Sequence, residues 1–188
     1  IAQEHRLIVL DTETTGLDPL TSDIIQFAAV EIVKGCIGKS INLFLKTDKN
    51  VGESEAVHHI SNVYLEQHGM ERAAAFEQIL EFIGDSPIAA HNMDFDLSML
   101  ETNFRRTLRH SFRENRVAYC TMEVARALDP DLPKHKLSYL IEQYGLKGVN
   151  THDALDDVKA TAELVLHFAG PAAASYEKAK PFFAENLK

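Results

Sequence analysis

Three short stretches of this 188-residue chain hold carboxylates in positions to act together. Asp11 and Glu13 stand two apart behind the apolar run Leu7-Ile8-Val9-Leu10. If that run is a buried strand, residues i and i+2 share a face and both carboxylates point the same way. They would lie at the strand's C-terminal end, where open α/β sheets build their sites. Hard oxygen ligands on a rigid strand suit Mg²⁺ or Mn²⁺. A solvated strand end is the plain alternative. His91-Asn92-Met93-Asp94-Phe95-Asp96 follows the apolar Ile88-Ala89-Ala90 and opens a helical pattern. Aspartate at a helix start commonly caps it, so one of Asp94 and Asp96 is expected as the cap and the other is left free. Spacing does not choose between them. Thr151-His152-Asp153-Ala154-Leu155-Asp156-Asp157 opens the last long helical pattern, with an apolar stripe through Leu155, Val158, Ala162 and Val165. At roughly 100° per residue, Asp156 points about 160° from that stripe's centre and Asp157 about 100° from it. A carboxylate serving a site beside the core is therefore expected at Asp157. His152 precedes the helix and can reach the same rim, with a surface or capping role as its alternative.

These residues need a scaffold. Leu7 to about Glu13 reads as a strand closed by the turn Gly16-Leu17-Asp18-Pro19. Ile24 to Val33 is rich in β-formers and ends at Lys34-Gly35, a hairpin turn into a strand around Ile41 to Leu45. Helical patterns follow at Val63 to Gln67 and Phe76 to Ile83, then a short strand at Pro87 to Ala90 and a long helix from Asp96 to about His110. Val117 to Cys120 reads as a strand, and helices cover Met122 to Leu128, Leu137 to Tyr144 and Ala154 to Phe168. A meander followed by alternating strands and helices predicts the α/β class, a mixed sheet covered by helices. One domain over residues 1–169 is expected, with residues 170–188 as a peripheral tail or helix.

Composition narrows the function. The net charge is −9, with 19 Lys plus Arg against 28 Asp plus Glu. By itself this argues against nonspecific nucleic-acid binding, unless the acids hold cations that invert the local field. No apolar run is long enough to span a bilayer. Ile1-Ala2-Gln3-Glu4-His5 has no signal-peptide pattern and no Met, so the chain reads as a trimmed or excised domain. Cys36 and Cys120 make no redox or metal motif, which fits a reducing, cytoplasmic setting. There is no His-Glu-x-x-His, no phosphate loop and no Gly-x-Ser-x-Gly.

Taken together, Asp11-Thr12-Glu13-Thr14-Thr15-Gly16, Ala90-His91-Asn92-Met93-Asp94-Phe95-Asp96, and His152 with Asp157 five residues on resemble the DEDDh 3′→5′ exonucleases of the DnaQ-like family. The resemblance runs over roughly residues 7–169 and includes proofreading subunits of bacterial replicative polymerases. It implies a ribonuclease-H-like mixed β-sheet flanked by α-helices. It further implies that Asp11, Glu13, Asp96 and Asp157 bind two Mg²⁺ ions, with Mn²⁺ as a substitute, and that His152 is the general base. Asp94 is then non-catalytic. The implied reaction releases nucleoside 5′-monophosphates from DNA 3′ ends, single-stranded or frayed, in replication or repair. An exoribonuclease and a proofreading subunit acting within a polymerase complex are the alternatives.

The same resemblance assigns terminal-nucleotide contacts to Thr14, Thr15, Gly16 and Leu17, with Asn92 and Phe95 as neighbours. Val57-His58-His59-Ile60-Ser61 is similar to a family block read as His-Gly-Ile, which adds His58 and Ile60; His59 stands where Gly is usual. Residues 105–116 hold five arginines against Glu114. Arg105, Arg109, Arg113 and Arg116 would share one face if the helix ran that far. This is either a phosphate track or a solvated face.

Overall fold

The computed structural model describes residues 6–170. Five strands form one sheet: β1 (Leu7–Thr14), β2 (Ile24–Val33), β3 (Cys36–Phe44), β4 (Ile88–Ala90) and β5 (Ala118–Cys120). Their order is β3-β2-β1-β4-β5. The β1–β2 and β2–β3 pairs are antiparallel, and β4 and β5 continue parallel to β1. The helices are α1 (Glu55–His58), α2 (Asn62–His68), α3 (Arg72–Ile83), α4 (Met93–Leu108), α5 (Thr121–Leu128), α6 (Leu137–Tyr144) and α7 (Ala154–Ala169). This is the mixed, helix-covered sheet expected from the element order, and it is the ribonuclease-H-like arrangement. No helix among the described residues is long and apolar enough to cross a membrane. The expected tail, residues 170–188, lies outside the described residues apart from Gly170.

The alternation of β1 divides the core. Ile8 and Leu10 join Phe76, Ile79, Leu100 and Phe104 under α3 and α4. Leu7 and Val9 face the other way, with Val30, Ala89, Val158 and Ala162 under α7. Asp11 and Glu13 continue the odd-numbered register, so they emerge on the α7 face just where the apolar residues stop.

Local chemistry explains where the elements begin and end. Lys34 and Gly35 both take positive φ, 51° and 75°, as a two-residue hairpin between right-twisted strands requires. β3 therefore starts at Cys36, earlier than the sequence pattern indicates, because backbone pairing with β2 carries exposed residues that show no apolar alternation. Asn92, in the left-handed region, precedes α4 without a side-chain capping bond, and Asp94 and Asp96 both lie inside the first turn, so neither is the expected cap. The helix ends at Leu108, where Arg109 turns left-handed.

That ending removes the arginine face. Arg113 and Arg116 lie beyond the helix, and the chain folds back so that the N–H groups of Phe112 and Arg113 donate to Glu101 in mid-helix. Arg105 pairs with Glu101. Arg106 grips Ser22 O and Asp23. Arg116 lies over the Phe112 ring and donates to Gly84 O. Arg105, Arg106 and Arg116 are thus engaged within the fold, while Arg109 and Arg113 are exposed, so the four arginines do not share one helix face.

Candidate active site

The carboxylates converge at the C-terminal end of β1. Asp11, Glu13 and Asp157 each offer an oxygen, all within 4.8 Å of one another. Asp157 is 6% exposed and turned inward, whereas Asp156 takes the hydroxyl of Thr151 at the surface, as the helical phase indicates. Asp96 arrives from the first turn of α4. It is 3% exposed, and its Oδ1 accepts the Thr12 hydroxyl at 2.8 Å. It stands outside the three-residue oxygen set, but its charge bears on both Asp11 and Glu13. Asp94 faces solvent.

Among the described residues no lysine or arginine pairs with any of the four. Burial, then the neighbouring Asp96, Glu13, Asp157 and Asp153, pushes the Asp11 carboxyl well above its usual range. Burial followed by Asp157, Asp96 and Asp153 raises Glu13 to about 8. Burial raises Asp96 to about 7 against the opposing Thr12 hydroxyl. Burial also raises Asp157, opposed by the N–H groups of Thr151 and His152 and by Asn150. Like charges crowded in a poorly hydrated place favour protonation or a bound cation. An all-oxygen donor set suits a hard divalent ion, so the residues fit the metal that the sequence implies.

Beside the carboxylates lies a cleft of ≈350 Å³ lined by Phe44, His58, His59, Ile60, Tyr64, Thr151, His152 and Asp153. Three expected residues, His58, Ile60 and His152, therefore share one wall system. His152 is exposed and left-handed, φ 59°, just before α7. His58 is buried and accepts the Ile60 N–H on Nδ1 at 3.1 Å, with Nε2 3.1 Å from Ser54 Oγ. Burial lowers its pKa, opposed by a hydrogen bond to the backbone of Thr14 in β1. His59 caps α1 at φ 60°, which explains why glycine is the easier residue there.

The remaining expected contacts are placed differently. The Thr14 hydroxyl donates to Gly16 O at 2.7 Å, and the Thr15 hydroxyl accepts the Asp23 N–H at 2.9 Å, so both are used within the loop. Gly16 is not a positive-φ turn glycine; a Cβ there would fall 2.9 Å from Ser22 Oγ. Leu17 stands 84% exposed, Asn92 is exposed, and Phe95 packs partly against the core; none of them, nor Thr14 to Gly16, lines the cleft.

Sequence reasoning missed several residues. Asp153 caps α7 by accepting the Leu155 N–H at 2.9 Å, and its charge also reaches Asp11 and Glu13. An aspartate just ahead of a helical stripe is a cap signature that the sequence did contain. Gln26, fully buried opposite Glu13, contacts both Asp153 and the Ala154 N–H. Asn150 donates to Asp157 Oδ2. Nothing in the local pattern marks either amide.

A family model described as Exonuclease, of the RNase T type, matches residues 8–165. The chain belongs to this exonuclease family. It is thus an enzyme domain of the exonuclease class, and the DnaQ-like resemblance stands. The C. perfringens PolC-type DNA polymerase III is 31% identical over 86% of this chain and 11% of the polymerase. The T. maritima PolC-type DNA polymerase III is 32% identical over 86% of this chain and 12% of the polymerase. The chain thus spans about a tenth of these curated relatives' length. Exonuclease I of E. coli in complex with a dA16 oligonucleotide superposes with TM-score 0.78 at 21% identity, over 93% of this chain and 42% of that one. At that identity the likeness shows the shared fold of the exonuclease domain.

Proposed function

We propose that this exonuclease domain is of the DEDDh type and hydrolyses DNA from the 3′ end, with Asp11, Glu13, Asp96 and Asp157 as ligands of two Mg²⁺ ions and His152 as general base. The observation that carries the reading is the oxygen set of Asp11, Glu13 and Asp157 within 4.8 Å, beside a cleft on which His152 opens. Bound divalent ions would supply charge neutralisation at the phosphate and acidify a water, with Mn²⁺ able to substitute. The protein's own residues do the rest. Rigid β1 fixes two carboxylates, α4 and α7 bring one each, and the cleft holds the terminal nucleotide beside them. His152 takes the proton of the attacking water as the new phosphorus–oxygen bond forms. The bond to the 3′ oxygen of the preceding nucleotide breaks, that oxygen is protonated, and a nucleoside 5′-monophosphate departs.

DNA is favoured as substrate because the curated relatives are DNA polymerases and the exonuclease I neighbour is a complex with a deoxyadenosine oligomer. The match to a small part of each PolC-type polymerase also supports a setting beside a polymerase. The test is a ladder assay on 5′-labelled single-stranded DNA and RNA of one sequence, with Mg²⁺, Mn²⁺ or EDTA and an Asp157→Ala control. A metal-dependent ladder shortening from the 3′ end, faster on DNA and absent from the control, is expected. RNA cleaved faster than DNA would replace the substrate. Undiminished cleavage by Asp157→Ala would remove the site.

A further inference from the structure

The segment that carries His152 is fastened along one stripe of α7. Asp157, Ala160 and Glu163 stand three residues apart and so share a helix face. Residues 147–151 run along that face in the opposite direction. The N–H groups of Lys147 and Gly148 donate to Glu163 Oε2 at 2.8 and 3.0 Å. Gly148 presses on Ala160 so closely that a Cβ would fall 2.6 Å from its Cα. At the far end Asn150 Nδ2 donates to Asp157 Oδ2, and the Thr151 N–H donates to Asp157 Oδ1 at 2.9 Å. The hydroxyl of Thr151 adds a bond to Asp156 at 3.1 Å. The next residue is His152, held at φ 59° in a region that a non-glycine residue occupies only when its surroundings impose it.

We infer that Asn150 is a positioning residue that sets the plane of the Asp157 carboxylate and ties the His152 segment to it, so that metal affinity and base orientation depend on one side chain. This rests on the reading of Asp157 as a metal ligand. An unpartnered carboxylate rotates freely about its last bond, and a donor on Oδ2 together with a backbone donor on Oδ1 fixes its plane. Asn150 supplies the first from the same backbone stretch whose next residues are Thr151 and His152. A neutral donor serves here where a lysine would compete with the ion for the carboxylate. Partners that orient a metal ligand typically matter by about 10–100-fold in affinity or activity.

The experiment uses the 188-residue chain and Mn²⁺ as probe, measuring Mn²⁺ affinity by calorimetry and kcat and KM on single-stranded DNA. The variants are Asn150→Ala, Asn150→Asp (same shape, donor lost), Asn150→Ser (a short donor kept), Glu163→Gln and Asp157→Ala. Asn150→Ala and Asn150→Asp should weaken Mn²⁺ binding about tenfold and lower kcat with little change in KM, with Asn150→Ser closer to wild type. Glu163→Gln, which loosens only the distant anchor, should lower thermal stability and leave Mn²⁺ affinity unchanged. Asn150 variants that fold and match wild type in both Mn²⁺ affinity and kcat, while Asp157→Ala loses Mn²⁺ binding, would overturn the inference alone. Mn²⁺ binding unaffected by Asp157→Ala would overturn the metal-ligand reading beneath it.

Discussion

Glu13 has a carboxylate among carboxylates and no hydrogen-bond donor or cation of its own among the described residues, which makes it the most direct test of what the cluster costs the fold. Its charge is opposed by burial and by Asp157, Asp96 and Asp153. Glu13→Gln keeps the shape and removes that repulsion. In EDTA it should stabilise the protein by about 1–2 kcal/mol, roughly 2–8 °C in Tm for a domain of this size. The same change should abolish most of the Tm rise that wild type gains from Mn²⁺, because a ligand that binds only the folded state stabilises it. Differential scanning fluorimetry with and without Mn²⁺ checks both. A Glu13→Gln protein less stable than wild type in EDTA would mean the cluster is not strained. Asp157→Asn should behave differently, since its amide would turn a donor toward Asn150 or Thr151, both already donors. At this scale the sequence was informative where a periodicity could be counted. The helical phase separates Asp157 from Asp156, and strand alternation puts Asp11 with Glu13. It was silent on Asn150 and Gln26, whose importance lies in contacts across loops and strands that no local spacing encodes.

Elements were legible where an apolar period or a turn residue marks them, as in β2 with its Lys34-Gly35 turn and in α6 and α7. They were not legible where backbone pairing or a distant anchor decides. β3 begins on exposed residues held only by β2, and α1 is a single turn with no period to count. The end of α4 is the instructive case. Arginines at helical spacing continue past Leu108, but Glu101 captures the returning chain with donors from Ser111, Phe112 and Arg113. Burial raises the Glu101 carboxyl, but Arg113 N–H, Arg105, Ser111 and Phe112 N–H outweigh it and hold it at about 2. A folded pKa below the ordinary 4.5 means that the stabilisation is present above pH 4.5 and is lost as pH falls toward 2. Urea midpoints between pH 7 and pH 3 should therefore fall more steeply for wild type than for Glu101→Gln. At pH 7 the variant should be less stable by about 2 kcal/mol, the scale of hydrogen bonds to a charged acceptor. Parallel pH profiles would show that another group fixes the turn.

For the molecule as a whole, the net charge of −9 and the site carboxylates, which have no lysine or arginine partner among the described residues, present the same problem to any polyanion. Of the arginines in residues 105–116, three are engaged by Glu101, Asp23 and Gly84, which leaves Arg109 and Arg113 as the exposed ones. On the proposed reading, cations held by the carboxylates would be the main attraction for a phosphate at the cleft, since a bound divalent ion inverts the local field. DNA affinity should consequently depend on the ion more than on basic side chains. His152→Ala provides a way to measure this without cleavage, since the change removes the proposed base and leaves all four carboxylates. Anisotropy of a labelled oligonucleotide should show at least about tenfold tighter binding with Mg²⁺ than with EDTA. The salt dependence should be shallow, because few lysine or arginine contacts release counterions. Adding Arg105→Glu and Arg109→Glu should leave that slope unchanged. A steep slope in EDTA, reduced by the two arginine changes, would instead place a phosphate path on α4 and its C-terminal turn.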